Sequence, residues 1–377
     1  MHMTNEEIDH MFENYYGKPV DLSKAGNERI RDLANILNIK LNRILQGNDT
    51  YPEIHFRFIE DPEFNAFADK PELGKNIYVI AINTGIFYIL EDLIGRICGS
   101  NSILDDWGDL SEEDDTIKLN NPHMLSLQDL YKQRGVSNPI IPKHESRRIL
   151  GRVLFQYMFT SVLYHELGHI INGHIDYLRK FGYRLRLSED KHEYEYENEI
   201  DLLTFRTFEM DADAFAANKC IDEIIRAVGV SEEAPQEWKF IFESYHRLVG
   251  LWVFSQYLIL RILGGFVPTM DEIEEDCHPP SGVRQSMIIS AILTSVNSEI
   301  KLEEDELLAF HQYFTFQIDR AEEVFQELSS SKLNVESIKF GLSEAGTNIY
   351  KSLLAKWVII RPELLKVAYN KKLRDIA

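Results

Sequence analysis

The sequence predicts an α+β fold that is predominantly helical, with a small β-sheet packed on long helices and helical extensions at both ends. Three observations predict it. Strand-like patterns are confined to residues 51–82, and most of the remaining apolar residues recur at helical spacing. The third is a long apolar run over residues 149–163 that leads directly into His165-Glu166-Leu167-Gly168-His169.

In chain order, residues 5–46 read as two amphipathic helices separated by Gly17-Lys18-Pro19. Ile30, Leu33, Ile36, Leu37, Ile39, Leu41 and Ile44 form the apolar stripe of the second. Residues 51–59 alternate, with Ile54, Phe56 and Phe58 on one face, as in a half-buried strand that Asp61-Pro62 ends. Asn65-Ala66-Phe67-Ala68 is a second short β segment. The continuous β-rich run 77–82 reads as a fully buried strand, and Asn83-Thr84-Gly85 opens a helix through residue 94. Residues 100–121 are polar and acidic and are expected to form an exposed excursion. After Pro142 a helix capped near Ser146 runs through His169. Residues 176–197 are charged and aromatic with no core face, and read as an inserted solvated loop or flap. Helical patterns return over 199–228, 237–263 and from Val283 onward. In the last hundred residues the apolar spacing runs through Leu307, Phe310, Tyr313, Phe314 and Ile318, then Ile338, Leu342, Ile349, Leu353, Leu354 and Val358. Three segments result, with soft boundaries: an N-terminal helical segment 1–50, a core 51–290 and a C-terminal helical segment 291–377.

A formal charge of −21 over 377 residues argues against nucleic acid and against anionic membrane surfaces. Three cysteines at unrelated spacings make no disulfide framework and suit a reducing cytoplasmic setting. Residues 248–267 are apolar over about a bilayer's length, but Ser255, Gln256 and Arg261 fall mid-span. A buried core helix is therefore expected there, and no stable membrane insertion. The N-terminus carries no basic-then-apolar signal pattern.

The chemistry concentrates at the end of the long helix. Residues four apart share a helix face, so His165 and His169 can present two imidazoles to one point, a geometry that suits Zn²⁺. Glu166, rotated by about 100°, is placed to act on water there as a general base, the H-E-x-x-H arrangement. A third ligand is needed. The spacing of Gly173 and His174 misses the metzincin register, and His174 reads as a helix-end or surface residue. Glu209 is the better candidate: Glu209 and Asp213 form an E-x-x-x-D face amid Ala212, Ala214, Phe215 and Ala216. Carboxylates in such a setting need a partner, which a metal and the imidazole N–H groups would supply. Glu209 would be the ligand, and Asp213 would accept the remaining N–H of His165 or His169. Asp211 is expected to point to the surface. One zinc ion per chain is the implied cofactor.

These residues resemble the gluzincin metallopeptidases typified by the CAAX prenyl protease and HtpX, with soluble minigluzincin relatives. The resemblance also rests on Asn65-Ala66-Phe67-Ala68, on 77–90, and on His278-Pro279-Pro280-Ser281-Gly282-Val283-Arg284, and it covers about residues 51–290. The spanning helices of the better-known members have no convincing counterpart here. The resemblance implies a zinc endopeptidase acting on a protein or peptide substrate. In it His278, held by Arg284, would stabilise the oxyanion, and the strand Asn65, Ala66, Phe67 and Ala68 would pair with extended substrate. A weaker likeness, the Gly173-His174 pair near H-E-x-x-H, is to the Lit-type phage-exclusion peptidases, which would make the chain a regulatory protease with one cytosolic target. From a different class, the fold would serve as a zinc-bound interaction module without turnover; Glu166 speaks against this, since binding needs no base.

Overall fold

The computed structural model describes residues 3–72, 76–119, 128–130, 139–181, 187–188, 201–229, 231–242, 244–264, 269–301, 303–329, 337–371 and 373. Helices α1 (Asn5–Tyr15) and α2 (Glu28–Leu45) come first, then strands β1 (Glu53–Ile59), β2 (Ala66–Asp69) and β3 (Ile77–Asn83). Helix α3 (Thr84–Cys98) follows directly on β3. The long α4 (Glu145–Ile171), the short α5 (His174–Lys180), strand β4 (Leu187–Ser188) and the long α6 (Leu202–Gly229) make up the middle. Beyond them lie α7 (Tyr245–Leu263), α8 (Met270–Glu275), α9 (Ser281–Ile300), α10 (Glu304–Leu328), α11 (Ser337–Gly341) and α12 (Glu344–Val367). The fold is α+β and mostly helical, as the periodicities predict.

The sheet runs in the order β1-β3-β2-β4. β1 and β3 are parallel, from Glu53 opposite Ile77 to Ile59 opposite Asn83, while β2 is antiparallel to β3. β3 is buried along its whole length, which explains why it lacks alternation. β1 alternates, with Ile54, Phe56 and Phe58 turned into the core. The sheet meets the helices through aromatic contacts, among them Phe58 against Phe159 of α4, with ring centroids 6.0 Å apart. One continuous core extends from Val20 through α4, α6 and α7 to Leu373, so it takes in side chains from all three sequence segments.

Several expectations need correction. β2 is not the sheet edge at Phe67 and Ala68: β4 pairs with it there, Phe67 opposite Ser188 and Ala68 opposite Leu187. A two-residue strand inside a charged stretch has no alternation to announce it. The start of the presumed 176–197 loop is helical, with Tyr177 and Leu178 buried, whereas 182–186 and 189–197 lie outside the described residues. Nor is the 100–119 stretch a solvated excursion throughout. Ile103, Leu104, Trp107 and Leu119 are buried, and the fully buried Arg147 holds this turn from within. Its guanidinium donates to the carbonyls of Ile97, Cys98, Ser100, Ile103, Leu104 and Trp107 at 2.7–3.4 Å. Ile39 and Val358 point outward, at 60% and 57% exposure, because their helices bury narrower stripes than the spacing suggested, and Leu342, at 67%, lies in the turn between α11 and α12. The α4 cap expected near Ser146 is His144, whose Nδ1 accepts from the Ser146 amide.

The apolar run 248–262 is interior: every residue is buried within α7. Arg261, in the last turn of α7, pairs with Glu322 at 3.0 Å, and Tyr257 donates to the same carboxylate at 2.7 Å. Among the described residues no helix is long and apolar enough to cross a membrane.

Candidate metal centre

Two long helices build the centre. α4 carries His165, Glu166 and His169 in its last two turns, and α6 carries Glu209, Asp211 and Asp213. The two pack closely because Gly168 lies between the histidines. A Cβ there would stand 3.1 Å from the Cα of Ala212 and 3.3 Å from Phe215 side-chain atoms. A small residue on each helix thus lets the backbones approach and brings the carboxylates of one to the imidazoles of the other.

The gathered atoms have the spacing of a coordination shell. His165 Nε2 and His169 Nε2 are 3.1 Å apart; Glu209 Oε2 is 3.2 Å from the first, and Oε1 is 3.3 Å from the second. Four donors on a tetrahedron with bonds of about 2.0–2.1 Å would be roughly 3.3 Å apart. All three residues are buried, and Glu209 Oε2 has no hydrogen-bond partner among the described residues, although Arg284 and His278 nitrogens lie 3.7 and 4.0 Å away. A buried carboxylate oxygen 3.2 Å from an imidazole nitrogen, with no hydrogen bond between them, fits a bound cation. His165, His169 and Glu209 can therefore hold a metal ion. Glu166 is buried beside them, one residue along α4.

The electrostatics agree. Burial disfavours the charged forms throughout, and it pushes the His169 imidazole down to about 4, keeping it neutral, the form a ligand requires. For Glu209 burial opposes ionisation, but His169, His278 and His165 together outweigh it and hold the carboxyl well below the usual range. Asp213 behaves likewise: burial is overcome by Arg284 and His165, and its carboxyl is held low.

The structure places each remaining candidate. Asp213 Oδ1 is 2.9 Å from His165 Nδ1, leaving Nε2 of that ring to face Glu209. Arg284, from the first turn of α9, clamps Asp213 with two bonds of 2.8 and 2.9 Å. The sequence suggested that Arg284 holds His278; the hydrogen bonds seen here take its guanidinium to Asp213. His278 is half-buried, with Nε2 toward Glu209 and Nδ1 3.2 Å from Cys277 Sγ and 3.5 Å from Asp276. Burial lowers its basicity, but Glu209 and Asp276 more than compensate and raise its pKa well above the ordinary value. In the Asn65, Ala66, Phe67 and Ala68 segment, the last two residues pair with β4, so an extended peptide cannot use those positions while β4 occupies them.

Asp211, assigned to the surface, is interior, and His174, expected at a helix end or the surface, is the first residue of α5 and interior as well. His174 is fully buried, and Asp211 nearly so. His174 Nδ1 lies 3.0 Å from His169 Nδ1, and its Nε2 lies 3.0 Å from Asp211 Oδ2. Phe208 stacks on the His174 ring with centroids 4.5 Å apart, and Asn172 donates to Asp211 at 2.6 Å. The sequence signal that could have found them is the third carboxylate of Glu209-x-Asp211-x-Asp213 in a helix of small and apolar residues.

The C-terminal segment also reaches this centre. The Tyr369 and Asn370 amides both donate to Ile171 O at 3.0 Å, and Asn370 Nδ2 donates to Asn172 at 3.3 Å. Gly173 makes this possible. It has a φ of +84°, and a Cβ there would come within 2.8 Å of Ala368 N. Comparison of the chain with protein-family profiles, curated proteins and solved structures returns no match.

Proposed function

We propose that this chain is a zinc-dependent endopeptidase of gluzincin type, acting on a protein or peptide substrate within the cell. The observation that carries the reading is the convergence of His165, His169 and Glu209 from two helices, with Glu166 beside them. Two imidazoles and one carboxylate are the ligand set of a catalytic rather than a closed structural zinc site, since they leave a coordination position open. No cysteine belongs to the set, and in structural zinc sites cysteine is the usual ligand.

Zinc bound there would supply a Lewis acid that polarises the scissile carbonyl and acidifies water. The chain's own groups do the rest. Glu166 takes a proton from the attacking water and returns one to the leaving amine. His278, with Nε2 directed toward the Glu209 side of the centre, donates a hydrogen bond to the developing oxyanion. Asp213, clamped by Arg284, holds His165 with its Nδ1–H outward and its Nε2 free for the ion. Arg284 thus contributes by positioning, through Asp213.

The test is Glu166→Gln. Peptide hydrolysis should fall by about 10²–10⁴-fold while zinc content stays at one ion per chain. A variant that still hydrolyses peptide would remove the general-base assignment. Loss of zinc together with activity would move Glu166 into a structural role.

A further inference from the structure

We propose that His174 and Asp211 form a positioning relay for His169, so that each candidate imidazole ligand has its own buried anchor on α6. This rests on the metal-centre reading above, and it concerns residues that the H-E-x-x-H and E-x-x-x-D patterns do not contain.

Two contacts of His174 constrain one another. His169 Nδ1 and His174 Nδ1 are 3.0 Å apart in a buried site, so one must carry the proton and the other must accept it. His174 Nε2 faces a carboxylate oxygen of Asp211 at 3.0 Å, and a carboxylate only accepts. If neutral His174 donated from Nδ1, its Nε2 lone pair would face the Asp211 lone pairs, and that contact would be repulsive. Among neutral imidazoles one arrangement satisfies both contacts. His174 carries its proton on Nε2 and gives it to Asp211, while its Nδ1 accepts from His169 Nδ1–H. That leaves the lone pair of His169 on Nε2, the nitrogen 3.3 Å from Glu209 Oε1. The relay therefore selects the tautomer and ring orientation that a metal requires.

The geometry explains why a relay is needed at all. Asp213 is four residues from Glu209 and shares its face, so it reaches His165 directly. Asp211, two residues from Glu209, lies on a different side of α6, with no shared face toward the metal centre. His174 closes that gap. The left-handed turn at Gly173 lets α5 start beside the end of α4, where Phe208 of α6 stacks flat on the imidazole. Asn172 donates to the same Asp211 oxygen, Oδ2, that faces His174, and Asn370 of the C-terminal segment donates to Asn172. The two anchors differ in kind: His165 leans on a carboxylate braced by a guanidinium, His169 on an imidazole braced by a carboxylate.

The test uses the full chain and measures affinity for Zn²⁺ by competition with a chromophoric chelator, in His174→Ala, Asp211→Asn, Asp211→Ala and the His174→Ala/Asp211→Ala double variant. His174→Ala should weaken zinc binding about 10–100-fold, the usual effect of losing an outer partner of a ligand. Asp211→Asn preserves shape and one acceptor, and should cost less than Asp211→Ala. Because Asp211 acts through His174, the double variant should bind no more weakly than His174→Ala alone. With Co²⁺ as probe, His174→Ala should also shift the visible ligand-field spectrum, which a remote packing defect would not do. Unchanged affinity in the single variants, or losses that multiply in the double variant, would overturn the relay. Should His174→Ala fail to fold, the isosteric Asp211→Asn decides by the same affinity and spectrum. A wild-type chain that binds neither ion overturns the metal reading and the relay together. One that binds zinc but cuts no peptide removes the peptidase reading, while the affinity series still decides the relay.

Discussion

Helix α4 carries a buried polar cluster at each end, and the two are built on opposite principles. At the N-terminal end Arg147 is fully buried, and its five N–H donors are spent on six backbone carbonyls from the end of α3 and the turn after it. No donor is left over, and the cluster has no chemistry to offer. At the C-terminal end imidazoles and carboxylates crowd within 3.1–3.3 Å of one another, and an oxygen of Glu209 goes without a hydrogen bond. The first cluster is closed by its own hydrogen bonds. The second, among the described residues, leaves that oxygen open and could hold a metal ion. Buried polarity alone therefore does not mark a functional site; donor and acceptor balance separates the two.

The largest expected effect tests the closed end. Arg147→Leu strands several buried carbonyls at about 1–3 kcal/mol each, enough to unfold a domain of ordinary stability. Urea unfolding should show a loss of about 5 kcal/mol or no folded state at all, and a cost under about 1 kcal/mol would break the comparison. At the open end, Glu209→Ala should reduce zinc affinity by at least about 100-fold, beyond the loss expected from an outer partner. Affinity equal to the parent would mean that the third ligand lies elsewhere.

Glycine substitutions sharpen the contrast along the same helix. Gly168→Ala forces a Cβ against the α6 backbone, and should cost about 1–3 kcal/mol and weaken zinc binding as the helices part. Gly151→Ala meets only side-chain atoms of Ile94 and Cys98, at 3.3 Å and beyond. It should cost less and leave zinc binding alone, as a chelator titration of both variants would show.

The smallest effect at neutral pH concerns two buried thiols packed against α4, Cys98 and Cys220. Burial pushes Cys98 and Cys220 up to about 12, against an ordinary value of 9.0. Native protein should therefore resist iodoacetamide at both positions at pH 8, and mass-mapped alkylation there would contradict it. The sign for stability follows. The unfolded thiols lose protons near pH 9 while the folded ones keep theirs, so this contribution is full below pH 9 and is lost as pH rises toward 12.

Much of the frame was legible because it is periodic. Alternation located β1, continuous burial located β3, and i,i+4 spacing put His165 with His169 and Glu209 with Asp213 on shared helix faces. What escaped depends on how separate segments meet. Arg147 looks like any helix-start arginine until the 97–107 turn wraps over it. Asp211 looks exposed on its own helix, and becomes interior only because Gly173 turns the chain and returns His174 to it. Likewise nothing local in Leu187-Ser188 tells which strand it joins. The C-terminal segment, outside the resembling region, proves to brace the end of α4 through Tyr369 and Asn370.

The central claim is tested most directly by crystallography of the zinc-loaded chain with anomalous scattering at the zinc edge. One ion per chain is expected, bonded at about 2.0–2.1 Å to His165 Nε2 and His169 Nε2 and to a carboxylate oxygen of Glu209. An ion bound away from these three residues, or no ion at millimolar zinc, would contradict it.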